Sequence, residues 1–182
     1  MEWGRLSVVR PIRFVAGSLC ALVVAVAGSS PALAVPPEHQ PSQPSGPGSL
    51  PAGIACAFPV SLDLVSGDQG QNITFFDHNG NVVRIVGTAR PSVWQFTNLD
   101  TNVSYTITLP AGTEVVTPSA NGTTTIAVDG GAIGFNAPTD SPPGPFSFVN
   151  IGRLVAVVDA NGHTTSLTLS GKRTDLCAKV AP

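Results

Sequence analysis

From Ile54 onward the apolar residues of this chain recur at every second position, a period that calls for strands. Phe58, Val60, Leu62 and Leu64 alternate with Pro59, Ser61 and Asp63. Val103, Tyr105, Ile107 and Leu109 alternate with Ser104, Thr106 and Thr108. Successive side chains of a strand point to opposite faces, so this pattern sets one face in a core and the other in water. Weaker runs of the same kind fall at 73–76, 82–86, 93–98, 124–128, 146–148 and 165–169. Residues 151–158 are apolar on both sides apart from Gly152 and Arg153, as befits a strand covered on both faces. No stretch carries the three-to-four spacing of an amphipathic helix.

Turn chemistry separates these runs. Asn79-Gly80, Asn121-Gly122 and Asn161-Gly162 suit tight hairpins, because both residue types accept positive φ. Pro110-Ala111-Gly112 and Asp129-Gly130-Gly131 read as further turns. A longer loop, residues 138–145, carries Pro138, Pro142, Pro143 and Pro145 and no strand pattern. Eight or nine short strands with regular turns predict an all-β fold, an antiparallel β-sandwich in preference to a partly closed barrel.

The first 34 residues read as an export signal, outside the fold. Arg5, Arg10 and Arg13 precede an apolar run ending at Gly28, and the small-residue stretch after it ends in an Ala-x-Ala site, so cleavage is expected after Ala34. The run falls short of the roughly 20 residues that span a bilayer, although a retained anchor is the alternative. Leu19 and the apolar residues past Cys20 argue against lipidation there, and Arg10 and Arg13 are too far apart for a twin-arginine signal. Removing these 34 of 182 residues leaves 148, enough for one domain with a sizeable core. The expected product is secreted, with no membrane attachment after cleavage. Residues 35–52 hold six prolines among Ser, Gln and Gly without apolar period, and read as an extended, disordered segment. The sandwich domain is expected over 53–182.

Beyond the leader, six basic residues face ten acidic ones, and only Lys172-Arg173 are adjacent. Phosphate binding needs clustered Lys and Arg, so nucleic acid is excluded as a partner. Cys56 and Cys177 survive cleavage, near the two ends of the patterned region. In an oxidising compartment an isolated pair of this kind is one disulfide, which would close nearly the whole domain into a ring.

Several residue sets were weighed for chemistry. Asp77, Asn79 and Asn81 alternate oxygens as a calcium loop does, but the glycine comes too early and no closing Glu follows; Asx caps are the expected role. His78 and His163, with Asp77 and Asp159, would form a zinc site if their two hairpin tips met, and otherwise stand as surface histidines; His39 lies in the proline-rich segment. Neither a G-x-S-x-G motif nor a free cysteine is present, and Glu114 is the only glutamate after residue 52. Trp94 and Tyr105 share strand faces with apolar neighbours and read as core in preference to a carbohydrate platform. Arg153 sits in an apolar strand and needs a partner or an edge, and pairing with a carboxylate such as Asp175 is expected. No metal or cofactor is expected.

Cys56 with Phe58, Thr97-Asn98-Leu99-Asp100-Thr101, Gly152-Arg153-Leu154, Val157-Val158-Asp159 and the closing Gly171-Lys172-Arg173-Thr174-Asp175-Leu176-Cys177-Ala178 together carry a resemblance. They resemble a group of small, uncharacterised secreted proteins of actinobacteria. The resemblance implies an exported all-β domain closed by one disulfide, and it implies no activity. The functional expectation is a secreted, non-catalytic binding module, its partner a cell-envelope polysaccharide or an extracellular protein. A small extracellular hydrolase, or a protease inhibitor presenting the loop from Pro138 to Pro145, is the alternative.

Overall fold

In the computed structural model, described over residues 35–42, 48–67 and 70–182, the strands follow one another in antiparallel pairs. The elements are β1 (Glu38–Pro41), β2 (Gly48–Leu50), β3 (Val60–Gly67), β4 (Gln71–Phe76), β5 (Val82–Ala89), β6 (Ser92–Asn98), β7 (Ser104–Leu109), β8 (Gly112–Pro118), β9 (Thr124–Asn136), β10 (Phe146–Val158), β11 (Thr164–Asp175) and α1 (Leu176–Val180). One sheet has seven strands in the order β1-β4-β5-β8-β9-β10-β11, the other four in the order β2-β3-β6-β7. Neither closes into a barrel. The expected leader, 1–34, lies outside the described residues.

The strand count exceeds the expected eight or nine. The runs at 146–148 and 151–158 are one strand, β10. Three more come from stretches without alternation: β8, and β1 and β2 within residues 35–52, which were expected to lack structure. β1 pairs with β4 at the edge of the larger sheet and β2 with β3 at the edge of the smaller. An edge strand has one free side, which is where a Pro-rich segment is tolerated. Ser42 then locks onto Gly70, its N–H donating to Gly70 O (3.1 Å) and its Oγ accepting from Gly70 N (3.0 Å).

The main core forms where the inward faces of β3, β6 and β7 meet Val149 of β10 and the C-terminal helix. Val60, Phe96, Ile107, Leu109, Val149, Leu176, Val180, Ala55 and Cys56 are its buried members. Trp94 and Tyr105 pack against it. Cys56 and Cys177 are disulfide-bonded across 121 positions of sequence, at a Cα–Cα distance of 5.7 Å. In the chain-entropy model a ring of that size stabilises the fold by about 4.7 kcal/mol. Asn98, 1% exposed, donates from Nδ2 to Val180 O (3.0 Å), while its Oδ1 accepts from Asp100 N (2.9 Å). One side chain thus caps the helix end and orders the β6–β7 turn.

α1 was not expected. Five residues are too few to show a period, and its one signal is Asp175, whose Oδ1 accepts from Ala178 N (3.0 Å) as an N-cap. Asp175 is therefore committed to the helix and is not the partner of Arg153. The register of β10 and β9 puts Arg153 opposite Asp129, Nη1 to Oδ2 2.9 Å, with both side chains more than half exposed. Such a pair contributes little to stability.

Asp129-Gly130-Gly131 is not a turn. It lies inside β9, and Gly130 belongs to a row of glycines crossing four strands. Gly152 of β10 faces Gly130 on one side and Gly171 of β11 on the other. Gly130 approaches Gly112 of β8, so that a Cβ on Gly130 would stand 2.6 Å from Gly112 Cα. Gly130, Gly152 and Gly171 take φ of 119°, 145° and 100°, values that glycine alone adopts at little cost.

This row marks a fold in the sheet. Thr164, at the start of β11, donates its N–H to Asp140 Oδ1 (2.8 Å), and Ser141 N donates to Thr164 O (2.7 Å). The turn after β10 therefore touches the loop before β10. Thirteen residues of straight strand span about 40 Å, so β10 and its neighbours bend back near their middle. The bend buries the second face of β10: Phe148 and Leu154 are 2% and 8% exposed yet lie outside the main core cluster.

The three Asn-Gly hairpins share one form. Asp77, Ser119 and Asp159 each donate their N–H to the carbonyl four residues on, at 2.8–2.9 Å, and accept from the glycine N–H at 3.0–3.1 Å. Only the glycine takes positive φ, so these are three-residue loops closed by a bulge and not two-residue turns.

Because a Cβ at Gly152 would run into the Ser170 carbonyl while one at Gly80 meets nothing, the two positions should respond differently to alanine. Urea unfolding is expected to show Gly152→Ala costing more than about 3 kcal/mol and Gly80→Ala about 1 kcal/mol. Equal costs would mean that the glycine row does not bend the sheet.

Candidate binding cleft between the two sheets

A cavity of about 460 Å³ lies between the two sheets, within the range of small-molecule sites. It adjoins the core, whose Val60, Phe96 and Leu109 form part of its lining. Leu50, Val60, Leu62, Trp94, Phe96 and Leu109 line it from the smaller sheet. From the larger sheet come Val128, Ile133 and Phe135, with Asn72, Gly87 and Glu114 at one end. Gly48, Gly112, Gly131 and Gly134 also border it. The period-two pattern of β3, β6 and β7 builds the apolar wall, and glycine on the opposite wall leaves room unfilled.

The polar end has a defined register. Asn72 of β4 stands opposite Gly87 of β5, Gly87 opposite Glu114 of β8, and Glu114 opposite Val128 of β9. Opposed residues of antiparallel strands share a face, so all four project the same way. A methyl placed on Gly87 would lie 3.0 Å from Asn72 Oδ1 and 3.7 Å from Glu114 Oε2. Among the described residues neither side chain makes a hydrogen bond or ion pair, although Glu114 as a whole residue is exposed at the rim. Desolvation against the apolar lining raises its carboxyl above the usual value near 4.5.

Trp94 lines the cleft with its ring, and its Nε1 donates to Ser92 Oγ (2.9 Å). Tyr105 is part-buried against the core, with Lys179 Nζ 5.6 Å from its ring centroid. Neither presents a flat exposed platform. β1 and β2 flank the cleft, where Ser42, Gly48 and Leu50 contribute to its lining.

The other singled-out residues lie elsewhere. Asp77 Oδ1 accepts from Asn79 N (2.8 Å) and Asn81 N (2.9 Å), and its Oδ2 accepts from Asn81 Nδ2 (3.0 Å). Asp159 Oδ1 accepts from Asn161 N and His163 N, both at 2.9 Å. These carboxylates cap their own turns, and the bonds lower both below the ordinary range, the Asn81 side chain leading at Asp77 and the His163 amide at Asp159. His78 and His163 sit on hairpins separated in the sheet order by β8 and β9. His163 Nδ1 is 3.0 Å from Thr139 Oγ1 and 4.0 Å from Asp140 Oδ1. Among the described residues no group of three or more His, Cys, Asp or Glu is placed to hold a metal ion.

Sequence reasoning passed over Asp140. Its Oδ2 accepts from Ala137 N and its Oδ1 from Thr164 N, fastening the loop 138–145 to the β10–β11 turn. A Pro-x-Asp in a loop followed by a hairpin tip was the only signal. The row Asn72–Gly87–Glu114 was equally invisible, since β8 was not recognised as a strand.

No family model matches this chain, no curated protein matches it, and no solved structure matches it.

Glu114→Gln tests the electrostatics of the polar end. A carboxyl raised by burial stabilises the fold only when protonated, and that contribution is lost as pH rises through its native value. The variant is expected to melt above the parent at pH 7, with the gap closing as pH falls through the raised native value and gone below about 4.5. A gap that is absent at pH 7, or that persists in acid, would show the carboxylate to be fully solvated.

Proposed function

We propose that this chain is a secreted, non-catalytic binding domain that takes a small, largely apolar molecule between its two sheets. The observation that carries this reading is the cleft itself: about 460 Å³ lined by Leu, Val, Ile, Trp and Phe side chains, with one polar end. Apolar walls with few, localised polar groups are the common make-up of small-ligand sites. Secretion is supported by the leader pattern of residues 1–34 and agrees with a disulfide in the domain. Bacterial origin and kinship with the small actinobacterial proteins rest on the sequence resemblance.

A polysaccharide partner draws less support, because Trp94 and Tyr105 face inward. The hydrolase alternative draws less support, since among the described residues Glu114 is the only carboxylate in the lining. The inhibitor alternative is disfavoured by the loop 138–145, which is folded back by Asp140, by Gly144 N donating to Ala137 O (2.9 Å) and by Asn136 Nδ2 donating to Pro142 O (2.8 Å). An inhibitory loop has to project.

The test is calorimetric titration with linear alcohols of increasing length. Each buried methylene contributes about 0.8 kcal/mol, so affinity should rise roughly tenfold for every two carbons until the chain outgrows the cleft. Gly87→Leu, which sends a side chain into the cleft, should abolish binding while leaving the melting temperature close to that of the parent. Affinity independent of chain length, or unchanged in the folded variant, would overturn the assignment.

A further inference from the structure

We propose that the polar end of the cleft is an ammonium site, so that the ligand is an amine-headed amphiphile with its alkyl body between the sheets. The inference rests on the cleft being the binding site and names what it selects. Asn72 Oδ1 and Glu114 Oε2 flank the same small volume above Gly87, 3.0 and 3.7 Å from the point where a side-chain carbon would begin. Both are acceptors, and neither has a partner among the described residues. Two acceptors facing space that no described residue fills are complementary to a group carrying several N–H donors.

Charge narrows the choice further. Among the described residues Glu114 is the only ionisable side chain in the lining. A carboxylate repels an anionic headgroup and accepts only one bond from an alcohol. An ammonium group has three donors and a full charge, and charge-assisted hydrogen bonds are about twice as strong as neutral ones. Gly87 keeps the approach open, because a side chain there would project between Asn72 Oδ1 and Glu114 Oε2. The apolar wall of Leu62, Trp94 and Val128 then takes the alkyl chain, whose burial is non-directional and supplies affinity without headgroup selectivity.

Decylamine, decanol and decanoate share one alkyl chain and differ only in headgroup, and titrating each into the intact protein at pH 7 separates the two claims. Decylamine is expected to bind at least tenfold tighter than decanol, and decanoate weakest. Glu114→Gln should abolish the preference for decylamine over decanol. Equal binding of amine and alcohol, a preference for decanoate, or an amine preference that survives Glu114→Gln would overturn the ammonium site and leave the cleft standing. Failure of all three to bind would overturn the cleft and the ammonium site together.

Discussion

The architecture depends on a backbone-to-backbone approach that only glycine permits. At Gly112, Gly130, Gly152 and Gly171, four adjacent strands come together without side chains between them, and three of these residues hold positive φ. A flat sheet of thirteen-residue strands would keep the two ends of β10 far apart. Bent at this row, the sheet brings the β10–β11 turn onto the loop before β10, where Asp140 fastens it. Phe148 and Leu154 are buried outside the core cluster that holds Val149. The cleft lies where facing residues of the two sheets leave space between them, with Gly112 and Gly131 on the wall of the larger sheet.

Much of this was legible in the sequence, because strand pairing and core formation obey local rules. Strict alternation in β3 and β7 picked out the faces that pack against Val149 and α1, and the isolated cysteine pair is the disulfide. The residues that escaped detection obey rules that one chain does not display. β8 carries Val115 and Val116 side by side and ends in Pro118, so its membership of the sheet comes from backbone pairing with β5 and β9, not from alternation. β1 and β2 are polar and Pro-rich, and become strands only because the sheet edges offer unpaired N–H and C=O groups. Asp129-Gly130-Gly131 has turn composition, but whether glycines make a turn or a bend depends on which strands lie beside them.

The charged residues show the same division. Arg153 looked buried because its neighbours in sequence are apolar. Past the bend its side of β10 faces solvent, and Asp129 lies opposite. Asp175 was free for another role and caps the helix that carries Cys177. Glu114 was noticed only as an isolated glutamate. Its place beside Gly87 and Asn72, on a row of residues from β4, β5 and β8, is a product of register across 42 positions of sequence. A site of this kind carries no motif, since its members are adjacent only once the sheet has formed.

The central claim is that a ligand lies between the sheets, and methyl NMR addresses it most directly. With Leu, Val and Ile methyls labelled and unlabelled decylamine bound, alkyl protons should give nuclear Overhauser contacts to Leu62, Val128 and Ile133 in the cleft. Exposed Val65, Val83 and Ile151 should give none. Contacts confined to those exposed methyls, or no contacts at saturation, would contradict the account.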